Sequence, residues 1–221
     1  SDLVDRKPEE MKDSGVEWLG MIPKDWEVKR LKHLVNEPLK YGANESGDED
    51  NPSNPRYIRI TDFDDDGKLK DDNFKSLDSI KARDFMLKDG DILFARSGAT
   101  VGKTFQFRGF MGKSCFAGYL IKATPDSSII KSDYLYYFTK TLGYENWKNS
   151  IFIQATIQNI GASRYNEFKL CNPNMKDQDL ICNYLNGRTK KFNSIITKTQ
   201  KQITKLKEAK QSLISEAVTG K

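Results

Sequence analysis

DQDLICNYLNGRTKKFNSIITKTQKQITKLKEAKQSLISEAVT, residues 177–219, holds no proline and a single glycine, Gly187. From Phe192 onward one set of positions recurs at alternating intervals of four and three: Phe192, Ile196, Thr199, Ile203, Leu206, Lys210, Leu213 and Ala217. This is a heptad seam, and it predicts one long helix. At about 1.5 Å per residue the helix extends roughly 60 Å, more than the width of the domain that the remaining chain can build. One face is apolar and needs a partner. The other carries Lys198, Lys201, Lys205 and Lys207. A terminal helix lying across its own domain is the plain reading; an exposed strut that pairs with another helix is the sharper one, and the seam favours it. Ile196, Ile203, Leu206, Lys210, Leu213 and Ala217 are the candidate dimerisation contacts. A lysine on the seam lowers stability but fixes register and partner.

The 221 residues suit one domain, 1–176, followed by this helix, 177–221. No apolar run approaches the length of a membrane span, and the charged N-terminus lacks a signal core, so a cytoplasmic location is expected. Cys115, Cys171 and Cys182 are odd in number and widely spaced. With His33 as the sole histidine they form no metal-ligand pattern and no disulfide framework, which leaves reduced structural thiols. The net charge of +5 hides a segregation. Residues 188–221 carry nine basic residues against two acidic ones. Arg96 to Lys169 carries ten basic against four acidic, and the acids crowd into 45–91. A basic half-domain and a basic helix fit a polyanionic partner such as nucleic acid, as well as plain solubility.

The rest of the chain predicts an α+β fold, a twisted β-sheet with hairpins. Residues 1–15 form an arm. Trp18 and Trp26, around Pro23, read as core anchors. RYIRIT (56–61) alternates as a half-buried strand, and Asp66-Gly67 marks a hairpin turn. ILFAR, then SGATVG, then KTFQFR (103–108) make a second hairpin. CFAGYLIKA (115–123) reads as one buried strand. SDYLYYFTKTLGYENWKN reads as a helix opened by a Ser-Asp cap. QATIQNIGASRYNEF (154–168) is polar and exposes Gln154, Thr156, Gln158, Asn159, Ser163 and Arg164. FKLCNP is a last strand, and Pro173 punctuates before the long helix.

Two motifs imitate chemistry. Asp62, Asp64, Asp66 and Gly67 match the start of an EF-hand loop, but position 12 is Asn73 rather than Glu and the segment before it reads as strand. An acidic turn is the better reading. Gly98-Ala-Thr-Val-Gly102-Lys103-Thr104 has three residues between its glycines, where a P-loop needs four, and a strand pattern follows. The same residues make a hairpin tip at which Arg96, Ser97, Thr100 and Lys103 can meet a phosphate backbone. A single histidine leaves no Ser/His/Asp or Cys/His arrangement. A nuclease site drawn from the acidic cluster and Lys68 is weaker than a solvated turn.

DSGVEWLGMIPKDWEVKRLKHL, then YIRITDFDDDGKL, LKDGDILFARSGATVGKTFQF and IQATIQNIGASRYNEFKLCNP, and finally the long helix resemble, in order, the specificity subunit of Type I restriction-modification enzymes. The resemblance covers nearly the whole chain. It implies a non-catalytic subunit whose target-recognition domain reads half of a two-part double-stranded DNA target. It further implies a helix that serves as spacer and docks the modification (adenine methyltransferase) and restriction subunits. S-adenosylmethionine and ATP are then expected only on those partners, with no cofactor here. Family members carry two recognition domains and two such helices packed antiparallel; this chain has one of each, which implies either a half-length form that forms a homodimer or a truncation. Asp177-Gln178 stands where the family has Glu-Gln. Arg96, Ser97, Lys103, Gln154, Asn159, Ser163 and Arg164 are the expected DNA contacts, with Arg59 and Thr61 behind them, because base edges and phosphates are met by these side-chain types. A regulatory DNA-binding protein with a dimerising coiled coil, and a metal-dependent nuclease, are the competing readings.

Overall fold

The computed structural model describes residues 6–47, 50–64, 67, 69–70, 74–110, 112–153 and 158–220. The chain divides into two compact units, Val4–Asp179 and Leu180–Lys221. The strands of the first unit are β1 (Met11–Asp13), β2 (Met21–Pro23), β3 (Glu27–Arg30), β4 (Lys40–Tyr41), β5 (Arg56–Ile58), β6 (Ile92–Ala95), β7 (Thr104–Gln106), β8 (Ser114–Phe116), β9 (Leu120–Ala123) and β10 (Lys169–Asn172). Its helices are α1 (Ser79–Ala82), α2 (Ser132–Phe138), α3 (Leu142–Ile153) and α4 (Ala162–Asn166). Strands and helices are mixed, as an α+β fold requires. A four-stranded sheet runs β4-β9-β6-β7; the other pairs are β1-β2, β3-β10 and the parallel β5-β8.

The β6–β7 hairpin forms as its alternation predicts, with Leu93 opposite Phe105 and Phe94 opposite Thr104. Gly98 and Gly102, both at positive φ, let the eight residues between the strands close on themselves. The chain leaves Lys103 as strand, not helix, which removes the geometry a P-loop needs.

Four sequence expectations are corrected. CFAGYLIKA is two strands, not one: β8 pairs with β5, and the chain then turns at Ala117–Leu120 to pair β9 with β6. The predicted single helix over 132–149 breaks at Thr139–Thr141. There the Thr139 hydroxyl donates to Tyr136 O and the Thr141 hydroxyl to Phe138 O, each at 2.7 Å, offering the last carbonyls partners other than a continuing helix. The expected Ser-Asp cap is also absent. Lys131 is the N-cap residue, without a side-chain cap bond, and the Ser132 hydroxyl donates to Gly90 O instead. The strand at RYIRIT is short and wholly buried, and a single turn of 3-10 helix, Ile60–Asp62, follows it. Asp66, Lys68 and Asn73 lie outside the described residues; Phe63 and Leu69 bridge across that turn.

The core is built from the sheet and an aromatic cluster. Ile58, Leu93, Phe105, Phe116 and Leu120 pack as one buried group, with the Phe63 ring stacked 4.2 Å from Phe105. Tyr144, Trp147, Tyr165 and Phe168 form the second, with Trp147 and Phe168 centroids 4.4 Å apart. Trp18 and Trp26 are half-buried, and their indole N–H groups donate to Lys169 O and Asp177 Oδ2, both at 3.1 Å. All three cysteines are free and buried. Desolvation pushes the Cys115 thiol up to about 12 and Cys171 to about 11.

Helix α5 runs Met175–Thr219 and so starts two residues before the expected Asp177. The Asn174 side chain explains the start: its Oδ1 accepts the Asp177 backbone N–H at 2.9 Å, as an N-cap residue does. The Asp-Gln pair sits in the first turn. The Gln178 amide is fully buried, donating to Ile129 O and Pro173 O and accepting Lys131 N–H at 2.8 Å. Further along, every residue from 186 to 220 is exposed, including Ile196 (63%), Leu206 (70%) and Leu213 (67%). No helix among the described residues is long and apolar enough to cross a membrane.

Candidate functional site

The surface of interest starts where β6 ends. Ala95 is buried in the core and Arg96, the next residue, is half-buried at the base of the hairpin tip. Three chain segments meet at Arg96. Its N–H donates to Tyr119 O at 3.0 Å, in the β8–β9 turn. Its carbonyl accepts the Ile160 N–H at 2.9 Å, and Ser97 bridges to Asn159 in antiparallel fashion. Two segments that lie some sixty residues apart in sequence are thereby joined edge to edge.

The Arg96 guanidinium lies 4.9 Å from the ring centroid of Tyr41, in the geometry of a cation–π contact. Its Nη1 reaches Gly118 O at 3.4 Å, while its Nε is buried with no hydrogen-bond partner among the described residues. Beside it, α4 presents Ser163 and Arg164 outward and buries Ala162 and Tyr165. Tyr165 anchors α4 against Phe94, 4.5 Å between centroids. Desolvation raises the Tyr165 phenol well above its usual range, so it stays neutral.

The other end of the hairpin tip is fixed from α3 and the turn that precedes it. The Tyr144 hydroxyl donates to Gly102 O at 2.8 Å, and the Lys140 ammonium donates to Thr104 O at 2.7 Å. Desolvation brings Lys140 down to about 8, and the neighbouring Lys103 charge pushes the same way. Lys103 itself is exposed. A side-chain carbon at Gly102 would come within 2.2 Å of the Lys148 side chain, so the tip is held closely where it returns to β7.

Of the residues expected from sequence, the structure thus joins Arg96 and Ser97 to Asn159, and places Ser163 and Arg164 on the exposed side of the adjoining turn. Lys103 stands at the far end of the same tip. Arg59 is engaged elsewhere: it holds Asp62 with its backbone N–H at 2.7 Å and its guanidinium at 2.8 Å, and this buried carboxylate raises the Arg59 pKa. Thr61 is exposed in the same one-turn helix. Asp62, the first position of the EF-hand-like motif, therefore already has a cation. Gln154 and Thr156 lie outside the described residues.

Tyr41 carries no sequence signal and was not among the expected contacts. It sits on a two-residue edge strand, 42% exposed, and its role depends on partners 55 and 121 positions away, which no local pattern marks.

Comparison with known proteins gives one consistent result. A family model described as a Type I restriction modification DNA specificity domain matches residues 23–205. A Methanocaldococcus jannaschii protein named as the MjaX type I restriction enzyme specificity subunit is 27% identical over 207 residues, covering 91% of this chain and 47% of its own. A chain solved in work on complex assembly and conformational transition of the type I R-M system superposes with a TM-score of 0.70 at 18% identity, covering 95% of this chain and 49% of that one. The HsdS subunit from Thermoanaerobacter tengcongensis gives 0.57 at 16% identity, covering 84% and 42%. The chain therefore spans about half the length of the relatives it matches.

Proposed function

This chain belongs to the family of Type I restriction-modification DNA specificity domains, and from that membership we propose that it reads one half of a two-part DNA target for a modification and restriction complex. The observation that carries the reading is the junction of Arg96 and Ser97 with Asn159 and Ile160. It gathers donors and acceptors suited to base edges, Ser97 and Asn159, with cations suited to phosphates, Arg96, Lys103 and Arg164. The chain's own part is recognition; adenine methylation and strand cleavage belong to the partner subunits.

Helix α5 supplies the remainder of the reading. Its exposed seam is covered by a second copy in an isologous, antiparallel pair. Pairing the two kinds of seam position across an antiparallel dimer gives one self-consistent register. Phe192 meets Ala217 of the second copy, Ile196 meets Leu213, Thr199 meets Lys210, and Ile203 meets Leu206. Large then packs on small, apolar on apolar, and the two polar seam residues on each other. A parallel pair would set Lys210 against its own copy, two like charges in one layer. Two recognition units related by a two-fold axis read a palindromic two-part target.

Co-expression with a modification subunit, followed by mapping of methylated adenines in the host genome, tests the function. A symmetric two-part motif is the expected result. An asymmetric motif means that a different recognition unit completes the complex, and no methylation with a folded partner present removes the reading. The register has its own test. Thr199→Cys alone should not cross-link, while Thr199→Cys with Lys210→Cys should give a disulfide-linked dimer. The three native thiols are buried and leave little background. A linked dimer from the single variant would mean a parallel pair.

A further inference from the structure

We propose that Tyr41 is a positioning residue for DNA recognition, one side chain that fixes both Arg96 and the turn carrying Ser163 and Arg164; this rests on the recognition reading above. Its ring and its hydroxyl do different things. The ring carries the Arg96 guanidinium at 4.9 Å. The hydroxyl accepts the Ala162 backbone N–H at 2.9 Å, in the first turn of α4. Tyr41 itself stands on an edge strand and is 42% exposed.

The surroundings are shaped to bring that side chain in. Gly42, next to it, passes so close to the β8–β9 turn that a Cβ would lie 2.3 Å from Ala117 O. A Cβ at Gly161 would stand 3.1 Å from the Tyr41 hydroxyl, tighter than an ordinary contact. The residue after Tyr41 and the residue before Ala162 are thus both glycines. On the other side, the Arg96 Nε has no partner among the described residues, and the long 3.4 Å bond to Gly118 O holds the head weakly. The aromatic face therefore supplies a restraint on the guanidinium that hydrogen bonds do not. A long, flexible arginine that must meet a fixed position on DNA gains from such a shelf, because fewer rotamers are lost on binding. The same residue fixes the height of α4 against the hairpin, so Arg96 and Arg164 keep one spacing.

The test uses the full chain assembled with a modification subunit and a randomised duplex DNA library. The duplex selected by the wild-type chain is compared with an unrelated duplex for Tyr41→Phe and Tyr41→Leu. Tyr41→Phe keeps the shelf and loses the acceptor, and should reduce the ratio of specific to non-specific affinity about threefold. Tyr41→Leu loses both and should reduce it about tenfold, with non-specific affinity unchanged because every cation remains. In the DNA-free chain, exchange of the Ala162 amide hydrogen should be faster in both variants. Wild-type specificity in Tyr41→Leu would overturn the proposal and leave the recognition reading standing. So would a loss that follows thermal stability alone with the affinity ratio intact. A wild-type chain that selects no duplex would overturn the recognition reading and this role with it.

Discussion

The recognition unit and the distal helix use the same apolar residue types in opposite ways. Ile58, Leu93, Phe116 and Leu120 are wholly buried, while Ile196, Leu206 and Leu213 stand 63–70% exposed on their helix. Leu93 and Leu206 are the same side chain with opposite fates. The first has found its neighbours within the chain; the second lies on an open seam, for which a second copy is the proposed partner. Burial of a leucine contributes about 2 kcal/mol wherever it occurs, so on the proposed pairing the helix gains from a second copy what the recognition unit has already gained in folding.

The sharpest way to break this comparison is to shorten one residue from each side. Phe116→Ala should cost about 3–5 kcal/mol of unfolding free energy, the same at every protein concentration. Leu206→Ala should leave the unfolding of the recognition unit unchanged and weaken self-association, so that its effect appears only as a concentration dependence seen by sedimentation. Equal effects on both measurements would mean that the two regions are not distinct. A smaller loss is expected at Gln178→Ala, about 1–3 kcal/mol in chemical denaturation, because the Lys131 N–H and two carbonyls lose a buried partner. That variant sharpens the boundary: the first turn of α5 should behave thermodynamically as part of the recognition unit. Smallest is Arg96→Ala, which should weaken DNA binding about tenfold in salt-matched titrations without lowering the melting temperature. Unchanged affinity would remove Arg96 from the interface.

The two regions also differ in how much of them could be read from the chain. The helix seam is a local pattern, one residue every three or four, and α5 follows it to Thr219. The β6–β7 hairpin was equally legible, because alternation and two glycines lie within fifteen residues. What failed was non-local. Nothing in RYIRI announces that β5 will pair in parallel with β8, and nothing in CFAGYLIKA marks the place where the chain changes sheets. The helix expected over 132–149 failed for a reason that lies in the sequence yet is easily passed over, two threonines whose hydroxyls bond to the carbonyls behind them. Around the candidate site, composition picked out Arg96, Ser97, Asn159, Ser163 and Arg164. It could not show that Ser97 and Asn159 would bridge, nor that Arg59 would already be engaged by Asp62. Tyr41 was invisible because its meaning comes entirely from residues far along the chain.

The pairing of β3 with β10 has an evolutionary consequence. Arg30 lies opposite Lys169, and every described residue of the candidate interface falls between those two positions. The stretch that holds the candidate interface thus enters and leaves through neighbouring strands, like a loop drawn tight at its neck. A segment whose ends are adjacent can be exchanged for another of different length and composition with little disturbance to what flanks it. Recombination within a gene of this kind needs only to preserve the two strands at the neck. On the proposed reading, a new target specificity then needs only one exchange between the strands of the neck, with α5 left as it is.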